Sequence, residues 1–278
     1  MTFQPSTMQA ARAVFGDLTK RMLPLDRLDA EQDSLARRYA AAAPYPHIVL
    51  DDFFDAGILD WVQDDFPKTN GRDWISWDTE NEIKQTSRGI VSLSPVTQLL
   101  FMQLCSDPFI RRLEAITGQT GLVWDPMFCG AGLHESVRGG WLNMHADWTK
   151  HPELPLVRRL NLIIYLNRDW EAAWNGALTL RDPDGAQPDA QVTPVFNRAA
   201  LFPTTDKTLH GFPEPLECPA DRSRRSISVY YWSADPEAVS QATYIKWLPS
   251  NGDTRLKALV RSFAPPVLLR TAARLRSA

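Results

Sequence analysis

Trp141–Trp148 reads WLNMHADW, with His145 and Asp147 two residues apart. In an extended segment those two side chains project from the same face. An imidazole and a carboxylate on one face make up two-thirds of a 2-His-1-carboxylate facial set. That set suits Fe(II) and leaves coordination positions open. A His-x-Asp pair is short, so its meaning depends on the rest of the chain. The chain must supply a second histidine, an anion-binding group and a scaffold that brings distant strands together.

The surrounding pattern predicts such a scaffold. From Leu122 onward, short strands are expected near 122–132, 141–147, 158–166, 177–181, 192–195, 199–203 and 225–232. Turn residues separate them, including Gly139-Gly140, Asn175-Gly176, Asp182–Gly185 and Pro203. Several short strands at this spacing read as a sandwich or barrel and not as alternating βαβ units. Upstream, Leu28–Ala43 is rich in helix formers, and Pro44 and Pro46 end it. A short strand at Ile48–Leu50 and a helix over 55–66 follow, then a loop running toward residue 90. Helices are expected at 95–104 and 108–116, each with proline near its start, the second ending at Gly118. The chain thus divides into a helical extension over 1–43 (an outer helix or mobile arm), a mainly β domain over 44–250 with supporting helices, and a tail over 251–278.

Composition narrows the function. With 278 residues, 44% of them apolar, the chain can bury a large core. A net charge of −3 argues against a nucleic-acid binder. No apolar run is long enough for a transmembrane segment, and MTFQPSTMQAARAVFGDL lacks the layout of a secretory signal. Cys105, Cys129 and Cys218 are scattered, as expected of reduced thiols in a cytoplasmic protein. The tail carries six basic residues against Asp253. It reads either as a basic amphipathic helix for anionic lipid or a partner, or as a packed helix with a solvated face. The second reading is favoured because Pro265-Pro266 interrupts the apolar stripe.

Five histidines are available for the second ligand: His47, His134, His145, His151 and His210. His210 follows LFPTTDKTL at the end of a predicted strand, far downstream of His145, as ligands from neighbouring barrel strands should be. His134 is placed to face the site but has no carboxylate at i+2, and His151 precedes a proline in a loop. RSRRSISVYYW, from Arg222 to Trp232, supplies the anion site. Alternation puts Arg224, Ser226, Ser228 and Tyr230 on one face, and Arg225, Ile227, Val229 and Tyr231 on the other. Arg224 with Ser226 can hold a carboxylate; Arg225 is the runner-up. The Tyr165 hydroxyl is a second donor to the same group. Asn143, Trp141 and Asn161 are further candidates for lining the site.

Together HAD (145–147), IIYLNRDW (163–170), NGALTL (175–180), LF then HGFPEP (201–215) and RRSISVYYW (224–232) resemble the Fe(II)- and 2-oxoglutarate-dependent oxygenases of the prolyl-hydroxylase-like branch. The resemblance covers roughly residues 44 to 235. It implies a double-stranded β-helix, a jelly-roll or cupin-like core with helices on one sheet. It implies iron on His145, Asp147 and His210, and 2-oxoglutarate held by Arg224, Tyr165 and Ser226. O2 would be the cosubstrate, with ascorbate in support. The implied reaction hydroxylates an unactivated C–H bond of a peptidyl, amino-acid, glycan or natural-product substrate and releases succinate and CO2. The alternative is a non-catalytic jelly-roll binding module. Intact Asp147 favours hydroxylation over halogenation. One departure is Val137 in ESVRGGWL, where many relatives carry a tyrosine.

Overall fold

The early part of the chain is mostly helical and the later part mostly strand. The computed structural model describes residues 5–69, 71–235 and 245–248. The elements are α1 (Pro5–Met22), α2 (Leu25–Ala41), β1 (Ile48–Leu50), α3 (Ala56–Asp64), β2 (Trp74–Asp78), β3 (Glu82–Ser87), α4 (Pro95–Leu104) and α5 (Asp107–Thr117). There follow β4 (Leu122–Trp124), β5 (Gly132–Val137), β6 (Trp141–Ala146), β7 (Leu156–Tyr165), β8 (Leu178–Arg181), β9 (Ala190–Val192), β10 (Ala199–Pro203), β11 (Leu209–Phe212), β12 (Ser223–Ala234) and β13 (Lys246–Trp247). The predicted helices form where their caps dictate. Asp55 accepts the Gly57 N–H at 2.9 Å to start α3, and Ser94 accepts the Thr97 N–H at 3.3 Å to start α4. The predicted tail lies outside the described residues.

The strands pair antiparallel in the order β1-β10-β7-β12-β5-β3-β6-β11-β8-β9, with β2 on β3, β4 on β12 and β13 on β6. This sheet curls into a nearly closed barrel, the expected jelly roll. Period-two alternation along β7 and β12 sorts side chains into two environments. Leu160, Leu162 and Ile164 of β7 join Ile227, Val229 and Tyr231 of β12 on the outer face. There they pack beneath the helices, against Leu100, Phe101 and Leu104 of α4 and Phe109 and Leu113 of α5. Leu28, Leu35 and Tyr39 of α2 are buried in the same core, so residues 25–41 are packed against the barrel and are not a free arm. The inner faces of the same strands point into the barrel.

Three expectations need correction. The strand expected over 122–132 is two strands. Between β4 and β5 the chain turns, because Asp125 accepts the N–H groups of Met127 (2.8 Å) and Cys129 (2.5 Å) and Phe128 has φ 52°. The loop expected up to residue 90 contains the hairpin β2–β3, whose first strand leaves most of its side chains exposed and so shows no apolar alternation. Two short strands, β11 and β13, also appear where only connecting chain was read.

One side chain ties the helical layer to the barrel. Asn197 sits just before β10 at φ 59° and is buried. Its Oδ1 accepts the Phe54 N–H at 2.8 Å, and its Nδ2 donates to the Phe54 carbonyl at 2.7 Å. Asparagine tolerates this left-handed conformation better than alanine does. Asn197→Ala leaves both Phe54 backbone groups unpaired and should destabilise the protein by about 3 kcal/mol. Urea denaturation should show a lower midpoint with an unchanged slope; an unchanged midpoint would show that the clasp is dispensable.

Candidate metal centre

His145 lies on β6 and His210 on β11, and the two are register partners across that pair. Gly211 permits the close approach: a Cβ there would lie 2.7 Å from the Asn143 carbonyl oxygen. Asp147 follows β6 by one residue. His145 Nε2 is 3.5 Å from Asp147 Oδ1, and His210 Nε2 is 3.7 Å from Asp147 Oδ2. All three residues are buried. Each histidine turns its other nitrogen to the backbone, His145 Nδ1 to Asn143 O at 2.9 Å and His210 Nδ1 to Thr208 O at 3.3 Å. The proton therefore sits on Nδ1, and both Nε2 lone pairs face the carboxylate. Two imidazoles and one carboxylate within 4.8 Å of one another fit a single divalent iron ion.

Burial acts to raise the Asp147 carboxyl, but the positive charge of His210 and His145 in their protonated forms, together with that of Arg158, holds it well below the usual range. Arg158 Nη1 is 3.6 Å from Asp147 Oδ2, and Asn161 Nδ2 donates to the same oxygen at 3.3 Å. Burial, then the charge of His145, pulls His210 down to about 4, the direction that keeps a ligand neutral.

A cavity of about 390 Å³ opens beside these residues. Arg224, Ser226, His134 and Asn161 line it. Arg224 donates from Nε to Gly176 O at 2.8 Å and from Nη2 to the Tyr165 hydroxyl at 3.4 Å. Gly176, at φ 79°, leaves the room this needs, since a Cβ would meet the Arg224 Cδ at 3.2 Å. Among the described residues no carboxylate pairs with Arg224, although it is buried. A buried cation without an anion calls for one, which fits the distal carboxylate of 2-oxoglutarate. Arg225 points the other way, toward Glu135 at 3.0 Å.

Trp141 and Asn143 are not brought to the cavity. Between the pairs His210–His145 and Phe212–Leu142, β6 carries one residue more than β11. This bulge breaks the alternation, so Leu142 shares the cavity face with His145 while Asn143 turns to Leu248. A second bulge explains why Arg158 escapes a reading by alternation. Tyr231 pairs with Leu160 but Trp232 pairs with Arg158, so the extra residue Arg159 swings Arg158 inward. There Trp148 (3.9 Å), Tyr230 (3.7 Å) and Trp232 (4.8 Å) surround its guanidinium. Asp125, Cys129 and His151 form a second cluster. His151 Nδ1 accepts the N–H groups of Glu153 (3.0 Å) and Leu154 (2.9 Å). Its proton is therefore on Nε2, which lies 3.3 Å from Asp125 Oδ1 without hydrogen-bond geometry.

Residues 131–232 match the family model of the 2OG-Fe(II) oxygenase superfamily. Egl nine homolog 1 of Rattus norvegicus and of Homo sapiens are each 31% identical over 88 residues, covering 32% of this chain and 25% and 20% of theirs. The chain thus spans about a quarter of the length, 25%, of the first of these curated relatives. Three solved structures share the fold. A Pseudomonas putida prolyl-4-hydroxylase has a TM-score of 0.51 at 15% identity, covering 72% of this chain and 98% of its own. A Trichoplax adhaerens prolyl hydroxylase, in complex with a hypoxia inducible factor oxygen degradation domain peptide fragment, has a TM-score of 0.56 at 15% identity, covering 79% and 96%. A non-heme alpha-ketoglutarate-dependent epimerase from nogalamycin biosynthesis has a TM-score of 0.51 at 15% identity, covering 81% and 97%. The span that matches the 2OG-Fe(II) oxygenase superfamily model contains the His145–Asp147–His210 cluster and Arg224.

The buried histidines make the metal-free fold sensitive to acid. Burial, then Lys84, pulls His134 down to about 3, and His210 lies at about 4. The unfolded chain binds these protons near pH ~6.5, so between that pH and the folded values the unfolded state holds more protons. Stability therefore falls as pH drops, by about 1.4 kcal/mol per pH unit for each histidine. Urea midpoints of metal-free protein should fall from neutral pH to mild acid, and His134→Asn should make that slope shallower. Equal slopes in the two proteins would contradict the assignment.

Proposed function

We propose that this chain is an Fe(II)- and 2-oxoglutarate-dependent dioxygenase that hydroxylates an unactivated C–H bond of a peptidyl or small-molecule substrate. The observation that carries the reading is the meeting, in one cavity, of the His145–Asp147–His210 cluster and a buried Arg224 that has no carboxylate partner among the described residues. Iron and 2-oxoglutarate, when bound with O2, supply the oxidising chemistry, and the cosubstrate leaves as succinate and CO2. The chain's part is geometry and electrostatics. His145 and His210 present fixed lone pairs, and Asp147 stays ionised beside Arg158 and Asn161. Arg224 anchors the cosubstrate carboxylate by a charge-assisted pair, with Ser226 beside it and Tyr165 orienting the guanidinium. Asp147 occupies the position a halogenase leaves open, which supports hydroxylation. The Trichoplax adhaerens hydroxylase–peptide complex makes peptides the first substrates to test. A cytoplasmic location belongs to the same reading and draws on three free cysteines. Ascorbate is proposed as a supporting reductant.

Purified protein given Fe(II), 2-oxoglutarate and O2, with and without ascorbate, should form succinate. His145→Ala and Asp147→Ala should lose both iron and turnover; turnover unchanged in either would refute the metal assignment. Arg224→Ala should retain iron but weaken 2-oxoglutarate binding about 10- to 100-fold, the range for losing hydrogen bonds to a charged group. Iron uptake without any succinate would leave the chain as a jelly-roll binding module.

A further inference from the structure

Two residues beyond the family-matched span, Trp247 and Leu248, converge on one metal-ligand candidate. β13 pairs with β6 beyond the stretch that β3 covers, in a register that sets Trp247 opposite His145 and Lys246 opposite Ala146. The Trp247 indole lies on the His145 imidazole, with ring centroids 4.9 Å apart and planes at 36°. A second contact reaches the same ring indirectly. The Asn143 carbonyl accepts the His145 Nδ1 proton at 2.9 Å and so sets the rotation of the ring. The Asn143 side chain donates to Leu248 O at 2.8 Å, and the Leu248 N–H donates to Met144 O at 2.9 Å. Asn143 sits at the β6 bulge, where the regular pairing with β11 is interrupted. β13 and Leu248 thus hold β6 on the side of His145 away from β11, next to the bulge.

We propose that residues 245–248 are a positioning clamp for His145, with Trp247 bearing on the ring and Leu248 holding Asn143. Resting on the metal-centre reading above, the inference adds a role for a segment outside residues 131–232. Trp247 is a positioning residue: it fixes the direction of the His145 Nε2 lone pair and shields that side of the ring from water. Its effect falls on metal retention. Partners that orient a metal ligand from outside the coordination sphere alter affinity about 10- to 100-fold when removed.

Full-length protein loaded with Co(II) and chased with excess EDTA gives the test. Trp247→Ala and Asn143→Ala should each release Co(II) about tenfold faster than the wild type. Trp247→Phe keeps a ring on His145 and should restore most of the retention. Trp174 packs against the same apolar cluster as Trp247, but its ring contact is with Trp170, so Trp174→Ala should release Co(II) at the wild-type rate. If Trp247→Ala does not fold, Asn143→Ala carries the comparison. Wild-type rates in both Trp247→Ala and Asn143→Ala would overturn the clamp, as would equally fast loss from Trp174→Ala. A wild-type chain that takes up no Co(II) would overturn the metal centre itself.

Discussion

The site depends on keeping one carboxylate ionised where water is nearly absent. Burial works against a charged Asp147, and only close partners reverse that. Those partners come from three strands, His145 from β6, Arg158 and Asn161 from β7, and His210 from β11, and Tyr230 and Trp232 of β12 in turn enclose Arg158. Asp147 could not be satisfied by any one strand and its loop. The curled sheet is the means by which residues far apart in sequence reach a single oxygen pair.

The barrel interior holds two buried arginines in opposite circumstances. Arg158 faces Asp147 and is enclosed by aromatic rings, so its charge is answered within the protein. Arg224 is oriented by a carbonyl and a hydroxyl, neither of which cancels its charge. The contrast separates the cavity into a metal end, where the protein supplies the anion, and an acid-binding end, where the ligand must supply it. Glu135 performs on the outer side of β12 the service that no residue among those described performs for Arg224, by pairing Arg225.

Alternation made much of this legible. Along β12 the sequence sorts Arg224, Ser226 and Ser228 inward and Ile227 and Val229 outward, and the strand obeys. The histidines and Asp147 were readable because ligand chemistry restricts the residue types. What stayed hidden turned on one-residue irregularities. Bulges in β6 and β7 moved Asn143 out of the cavity and Arg158 into it, and a bulge has no strong composition signal. The β2–β3 hairpin was hidden because an exposed strand has no reason to alternate. β13 was hidden because two residues carry no period at all, although Trp247 ends on the ring of His145.

The double allegiance of β12 also limits how the chain can change length. Its two faces serve the helical core and the cavity, and neighbouring residues never share a face. Inserting or deleting one residue between Arg224 and Tyr230 would drive Ile227 and Val229 toward the ligand and press serines into the helices. Substitution can retune either face separately, but a length change would exchange them. In divergent copies of this domain, gaps should therefore gather in the loops and at the ends of β12, leaving its central stretch of constant length.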